Sequence, residues 1–349
     1  MTTFVNNVSN LQSSLARQQQ ALRITRELSK AEEEATTGLR ADVFRDLGAR
    51  AASSISVRNQ IDRTKSFVTS NKLLEGRMDV TVNAMTEMRT AIRDVMAMAV
   101  ANKESPVSTA PEVQAAARTA LEQFIGFANT QYQGKSLFAG VDDDKIALNK
   151  WDQDIDGMGT TPESVLAAIT GTGPVNTADA TAMIASLDTL FSSTDYENVF
   201  FNGTPAATGE RVTARIEEGV TLAYGVQAND QAFRDVIKGL TMLASVDISQ
   251  ISDDDAYTAY MTEAVSAISS GTSGVLEAEA RLGSQQQRLE NTVTGQEDLL
   301  SVLNSRVLAL EAVDPYEAAT RLQLLETQLQ SSYVLTSRLA NMTLLNYLG

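Results

Sequence analysis

The segment "DQDIDGMGTTPE", residues 152–163, carries acidic side chains at the spacing of a calcium-binding loop. Asp152, Asp154 and Asp156 stand at its first, third and fifth positions, a glycine stands at the sixth, and Glu163 stands at the twelfth. In an EF-hand loop the alternating carboxylates surround Ca²⁺, the glycine permits a sharp turn, and the last Glu binds through both oxygens. The spacing therefore predicts a structural Ca²⁺ site, with no other cofactor required.

A second interpretation of the same segment needs no metal. Gly159 occupies the eighth position, where calcium loops usually carry an apolar anchor, and Pro162 occupies the eleventh. Thr161 before Pro162 is typical of a helix N-cap, and Glu163 then falls in the first helical turn. An acidic turn followed by a capped helix explains these residues equally well, and both interpretations stay open at this point.

Composition excludes most other chemistry. The 349 residues contain no His and no Cys, which removes Ser-His and Cys-His nucleophiles and the usual zinc centres. We therefore predict no catalytic residues and no enzyme. The formal net charge of −16, without a basic cluster, argues against nucleic acid. No apolar run reaches the ~20 residues of a membrane span, and the N-terminus lacks the features of a Sec signal peptide.

Long helices are predicted at both ends of the chain. Apolar residues recur at helical spacing through about 7–35, 42–103 and 233–349. In the second segment the 3-4 repeat is typical of a coiled-coil seam. Asp314 followed by Pro315 and Glu317 is a capping arrangement that starts the last helix.

The two ends combine apolar faces with few charges. No charged side chain precedes Arg17 or follows Arg338. Their polar positions hold Gln, Asn, Ser and Thr rather than Lys and Arg, so burial by other subunits is a better prediction than a membrane surface. The predicted assembly interface is Val8, Leu11, Leu15, Leu322, Leu325, Leu329, Leu339, Met342 and Leu345.

The fold class that follows is mainly α: long N- and C-terminal helices forming a coiled-coil-like bundle, with both termini at one end, plus a small inserted β-containing domain. Alternation around 212–224 predicts a β-hairpin. Three parts are expected, namely terminal helices (1–40 with 310–349), a helical bundle domain (41–140 with 233–309), and an inserted outer β-rich domain (141–232).

Several segments resemble the bacterial flagellin superfamily, and within it the hook-associated proteins at the hook–filament junction. They are "ELSKAEEEATTGLRADVFRDLG" and "ARLGSQQQRLENTVTGQEDLL", then "YQGKSLFAG", "GVTLAYGVQANDQAFRDVIKGL" and the C-terminal "EAATRLQLLETQLQSSYVLTSRLANMTLLNYLG". The pattern departs from that of flagellins at 41–46, where "ADVFRD" replaces their Asn-Ser-Ala-x-Asp-Asp run.

The resemblance implies an extracellular flagellar structural subunit, exported through the flagellar type III apparatus, with termini that order on assembly. Its implied partners are further copies of itself, the hook-side junction protein, flagellin, and an export chaperone that holds the C-terminal region. Flagellin itself is the alternative within the structural class. A Ca²⁺-dependent adhesin or type III tip protein is the alternative outside it.

Overall fold

The computed structural model describes the backbone of residues 4–348 and the side chains of residues 12 and 15–338. Helix accounts for 72% of the chain, which confirms the predicted mainly α class. The chain divides into two compact units. Unit 1 comprises residues 1–66 and 295–349, and unit 2 comprises residues 67–294. The three-part division expected from the sequence stays a prediction.

Ten helices and four strands make up the described part of the chain. The helices are α1 (Phe4–Thr37), α2 (Val43–Leu47), α3 (Ala51–Ala101), α4 (Ala110–Ala128), α5 (Pro162–Thr170), α6 (Thr177–Ser192), α7 (Asp195–Val199), α8 (Gln231–Ser245), α9 (Asp254–Glu311) and α10 (Pro315–Leu348). The strands are β1 (Gln131–Tyr132), β2 (Lys135–Ser136), β3 (Thr213–Glu217) and β4 (Val220–Ala223). They form two antiparallel two-stranded sheets, β1–β2 and β3–β4.

Unit 1 contains the two terminal helices, α1 and α10, packed against each other. The start of α3 and the end of α9 meet through a small core of Val57, Ile61, Leu303 and Val307. Helix α10 begins as predicted, because the Asp314 carboxylate accepts a hydrogen bond from the Tyr316 N–H at 2.8 Å. Short-range capping signals therefore fix where the last helix starts.

Unit 2 holds the larger core. On α3, Met78, Met85 and Met88 are fully buried, with Ile92 and Val95 further along the same seam. The 3-4 repeat seen in the sequence is thus core packing, in which unbranched methionine fills irregular space.

Helix α8 is buried along almost all of its length. It approaches α9 closely at Gly271, where a Cβ atom would lie 2.5 Å from the Val236 backbone nitrogen. Such a distance is too short for any side chain, so the absence of one at Gly271 is what permits this helix crossing.

A buried arginine connects α8 to α7 and to the segment before it. The Arg234 guanidinium donates to the Asn229 and Ser193 carbonyl oxygens at 2.8 and 3.0 Å and to Glu197 Oε1 at 3.1 Å. It also lies 4.6 Å from the centre of the Tyr196 ring. The buried guanidinium charge is tolerated because carbonyl oxygens, a carboxylate and an aromatic ring contact it.

The segment 141–232 contains the β-hairpin that the predicted fold class requires, but most of its regular structure is helical. Apart from the short strands β3 and β4, its regular elements are α5, α6, α7 and a 3-10 turn. The hairpin expected at 212–224 is confirmed. Elsewhere in the segment the apolar residues follow helical spacing, and Leu166 on α5 and Leu187 on α6 are buried. Local periodicity outweighed the abundance of Gly and Thr.

Candidate functional site

The terminal helices form an antiparallel pair that is joined at one end by a tight elbow. Gly38 ends α1 with φ of +70°, a conformation that glycine adopts at little cost. Beyond it, the Arg40 N–H donates to the Glu311 carbonyl and the Val313 N–H donates to the Gly38 carbonyl, both at 2.9 Å. Since the two helices run away from this elbow together, the start of α1 at Phe4 and the end of α10 at Leu348 lie at the same end of unit 1, as predicted.

Two buried carboxylates hold the elbow. Glu34, 4% exposed, accepts from the Ala41 N–H at 3.2 Å and from Arg321 Nη1 at 3.1 Å. Glu311, fully buried, accepts from Arg58 Nε at 2.9 Å and also from the Ser54 hydroxyl. The hydrogen bonds from Arg58 lower the pKa of Glu311. A buried carboxylate that accepts hydrogen bonds from charged and neutral donors has a structural role and not a reactive one.

The segment 41–46 supports the elbow from outside. The Asp42 carboxylate caps α2 by accepting from the Arg45 N–H at 3.2 Å and pairs with Lys30 at 3.1 Å. Arg45 in turn pairs with Glu27 on α1 at 3.2 Å and lowers the pKa of that carboxyl. The segment that departs from the flagellin pattern therefore carries its own set of contacts to α1.

One face of each terminal helix is used within the pair. On α10, Ala318 is buried and Leu322, Leu325 and Leu329 are half-buried. Ala31 on α1 is equally buried. This seam is the expected outcome for two helices with apolar stripes.

Both helices also carry leucines that this seam does not cover. On α1, Leu15 and Leu22 are 50% and 53% exposed, and on α10, Leu324 and Leu335 are 57% and 58% exposed. Leu15 and Leu22 are about two helical turns apart, so they lie on one line along α1. We call these four leucines the outer leucine face. Apolar side chains open on both helices of one pair indicate an interaction surface.

The predicted assembly residues are thereby divided between two surfaces. Leu15 belongs to the outer leucine face, whereas the three leucines predicted on the first half of α10 belong to the internal seam. The side chains of Val8, Leu11, Leu339, Met342 and Leu345 lie outside the described residues.

Sequence reasoning missed the elbow carboxylates and Leu22. The residue Leu22 continues the heptad step from Leu15 and could have been found by that signal. No local pattern distinguishes Glu34 or Glu311 from neighbouring acidic residues, because their partners are distant in the chain.

The acidic loop of unit 2 adopts the turn-and-cap arrangement. The Asp154 carboxylate accepts from the N–H of Gly157 at 2.8 Å, and the Asp156 carboxylate accepts from the N–H of Met158 at 2.8 Å. Hydrogen bonds from the Thr160 hydroxyl, and from the N–H groups of Met158 and Thr160, lower the pKa of Asp156. Thr161 caps α5 through reciprocal bonds with Ser164.

In this geometry the loop carboxylates face backbone amides of their own turn. Glu163 lies in the first turn of α5, 3.6 Å from Arg118. Among the described residues no group of three or more acidic side chains is placed to hold a metal ion. The calcium site at Asp152, Asp154, Asp156 and Glu163 stays a prediction.

No helix in the described part of the chain is long and apolar enough to cross a membrane. The open leucines of unit 1 are the candidate functional surface.

Comparison with known proteins agrees with this arrangement. Residues 8–143 match the family model of the bacterial flagellin N-terminal helical region, and residues 265–348 match that of the C-terminal helical region. Curated proteins give no match.

Among solved structures, a Vibrio parahaemolyticus protein described as a flagellar hook-associated protein superposes with a TM-score of 0.52. It is 10% identical, and the match covers 76% of this chain and 98% of that one. FlgL from Bacillus cereus superposes with a TM-score of 0.38 at 12% identity, covering 72% of this chain and 99% of that one. The first of these similarities shows a shared fold.

The two matched regions belong to one family and take up well over half of the chain. They contain α10, most of α1, and the elbow that joins these two helices. The resemblance noted in the sequence is confirmed, and the chain belongs to the bacterial flagellin family, as a structural protein with the fold of a hook-associated protein.

Proposed function

We propose that this protein is a structural subunit of the bacterial flagellum that forms the hook–filament junction, and that it performs no catalysis. The observation that carries the proposal is the outer leucine face of the α1–α10 pair. The α1–α10 pair already packs one apolar stripe of each helix in its own seam. Further exposed apolar side chains on the same helices indicate a surface that another subunit covers.

The energetics favour repeated contacts over a single one. Covering the exposed half of each leucine contributes on the order of 1 kcal/mol, so the four together contribute on the order of 4 kcal/mol per subunit. That gain is comparable to the entropy lost when two proteins associate. A ring or helical layer, in which each copy is held by several neighbours, overcomes this cost where an isolated dimer would not.

The proposed partners follow from that layer. Copies of this chain pack side by side through unit 1, the hook-side junction protein lies below them, and flagellin lies above. The subunit is exported through the flagellar type III apparatus, and an export chaperone covers the C-terminal region before secretion. Its location is then the extracellular flagellum.

A paired substitution on the outer leucine face tests this mechanism. Leu15→Asp with Leu22→Asp places charge on an exposed face, so the fold should be retained while incorporation into the flagellum falls at least tenfold. Val175→Asp is the matched control, because Val175 in unit 2 is 68% exposed and lies outside the terminal helices. Immunoblots of detached hooks and filaments measure incorporation, and normal incorporation of the double variant would overturn the role given to this face.

Flagellin itself is the second candidate, favoured by the match of both chain ends to flagellin family models. A gene deletion distinguishes the two. Loss of filaments with flagellin released into the medium supports the junction role, whereas the absence of filament protein from cells and medium identifies this chain as the filament subunit.

A further inference from the structure

The charge of the chain is divided very unevenly between its two units. Unit 2 contains 31 acidic and 15 basic side chains, which account for the entire formal net charge of −16. Unit 1 contains 13 of each and is formally neutral. Two copies that met through unit 2 surfaces would therefore repel each other.

Within unit 1 the charges are separated again, along the helix pair. Residues 1–26 and 327–349, which form the end of the pair remote from the elbow, contain four arginines and no acidic side chain. These are Arg17, Arg23, Arg26 and Arg338. We call this region the arginine end.

Two cations near the elbow differ, because each has an acidic partner. Lys30 pairs with Asp42 at 3.1 Å, and Arg321 pairs with Glu34 at 3.1 Å. Among the described side chains, by contrast, no ion pair involves any of the four arginines of the arginine end. The Arg17 Nε–H is buried and donates to no acceptor within the described structure.

The arginines are placed where a neighbour can reach them. Arg23, Arg26 and Arg338 are exposed, and Arg26 lies one helical turn beyond Leu22 of the outer leucine face. At ~1.5 Å per residue the four positions fall within roughly 20 Å of helix. That spacing is short enough for their fields to add at moderate ionic strength, where screening acts over ~10 Å.

We propose that the arginine end of one copy docks onto the acidic surface of unit 2 of a second copy. The argument is charge complementarity: the arginine end is the basic, acid-free part of unit 1, and the same chain supplies the acidic partner in unit 2. The inference rests on the proposed function and adds a second contact between copies to the packing of their terminal helices.

The two surfaces of this contact are different, so the contact is heterologous. Each copy that offers its arginine end leaves its own unit 2 free to receive another copy. Heterologous contacts repeat until they close a ring or continue as a helix. A charge pattern of this kind thus leads to a layer of subunits and not to a closed dimer.

Cross-linking locates the contact directly. Because the chain has no cysteine, Gln19→Cys introduces a unique thiol between Arg17 and Arg23, which is labelled with a benzophenone. The labelled full-length protein is mixed with ¹⁵N-labelled wild-type protein under assembling conditions, irradiated and mapped by mass spectrometry. Mixed-isotope cross-links should include residues 67–294 of the partner. Cross-links confined to 1–66 and 295–349 of the partner would overturn this inference while leaving the packing of the terminal helices intact.

Charge reversal supplies the second readout. Sedimentation velocity of the wild-type protein should show an association constant that falls roughly tenfold between about 20 and about 500 mM NaCl. Arg23→Glu with Arg26→Glu should weaken association at low salt by at least tenfold and remove the salt dependence. The control, Arg63→Glu with Arg306→Glu, makes the same charge change on exposed positions of unit 1 outside the arginine end and should behave as wild type. Equal loss in both double variants, or association of the wild type that strengthens with salt, would refute the contact.

Discussion

Replacing Glu311 by Gln should loosen the elbow of unit 1 without changing its shape. The side chain keeps its size but loses the charge that accepts from Arg58 Nε at 2.9 Å and from the Ser54 hydroxyl. The amide nitrogen of glutamine is a donor, so an amide group that faces Arg58 sets a donor against a donor, whereas the Ser54 hydroxyl can accept from it. The cost should appear locally, in opening of the elbow.

The expected change in the free energy of elbow opening depends on the hydrogen bonds that are lost and on the hydration that Arg58 regains. Hydrogen bonds to a charged group contribute about 1.5–3 kcal/mol each. The Arg58 side chain is 49% exposed, so its guanidinium is rehydrated when the carboxylate is gone, and part of the loss is recovered. We expect a net loss of about 2 kcal/mol, equivalent to about thirtyfold in an opening equilibrium.

Hydrogen exchange at two backbone amides measures this opening. The Arg40 N–H is bonded to the Glu311 carbonyl and the Val313 N–H to the Gly38 carbonyl, so both report on the elbow alone. Their protection factors should fall about thirtyfold in Glu311→Gln. Glu317→Gln is the control, because that carboxylate is 68% exposed and bonds to Arg321 at 3.0 Å, and such pairs contribute about 0.5 kcal/mol or less.

Acid should reproduce the substitution. Arg58 lowers the folded-state pKa of Glu311 below its ordinary value of 4.5, so the stabilisation is fully present above about pH 4.5 and is lost as the pH falls through the lowered pKa. The Glu311→Gln variant should lack this part of the acid transition. Protection of both amides within twofold of wild type at neutral pH would refute the role assigned to the buried carboxylate.

Two further predictions concern unit 2. Gly271→Ala should lower the stability of unit 2 by about 1–3 kcal/mol, because the new Cβ meets the α8 backbone. The control Gly283→Ala has nothing within 4 Å of its Cβ position and should raise the stability by up to about 1 kcal/mol. Urea unfolding midpoints compare the two variants, and equal effects would contradict the close helix crossing. Calcium at millimolar concentration should leave the fluorescence of the single tryptophan, Trp151, unchanged, because the loop carboxylates already accept backbone N–H groups. A saturable change that Asp154→Asn abolishes would instead establish the calcium site predicted from the sequence.

The elements of this fold could be predicted from the sequence where signals are local. The start of α10 at Asp314-Pro315, the end of α1 near Gly38, and the methionine seam of α3 all depend on residues within a few turns of each other. Such signals act through capping, backbone conformation and helical periodicity, which neighbouring residues determine.

What could not be predicted depends on distant partners. The buried state of Glu311 follows from Ser54 and Arg58, more than 250 residues away in the chain. Likewise, the apolar positions of α1 and α10 indicate two helices with wide apolar surfaces, but not which leucines fill the internal seam. Leu322 and Leu324 are two residues apart, which is roughly 200° around a helix, so they lie on different faces. The pattern does not show which of those faces meets α1: Leu322 is half-buried and Leu324 is 57% exposed.

The outer leucine face and the arginine end impose different requirements on the same helix pair. Leucine burial is insensitive to direction, and it would by itself allow copies to associate in several registers. Charge contacts depend on position and oppose any arrangement that brings two acidic units together. If the leucines supply most of the association energy and the arginines select the neighbour, Leu15→Asp with Leu22→Asp should prevent association at every salt concentration. Reversing Arg23 and Arg26 should instead leave weak association that has lost its salt dependence and its preferred cross-link positions.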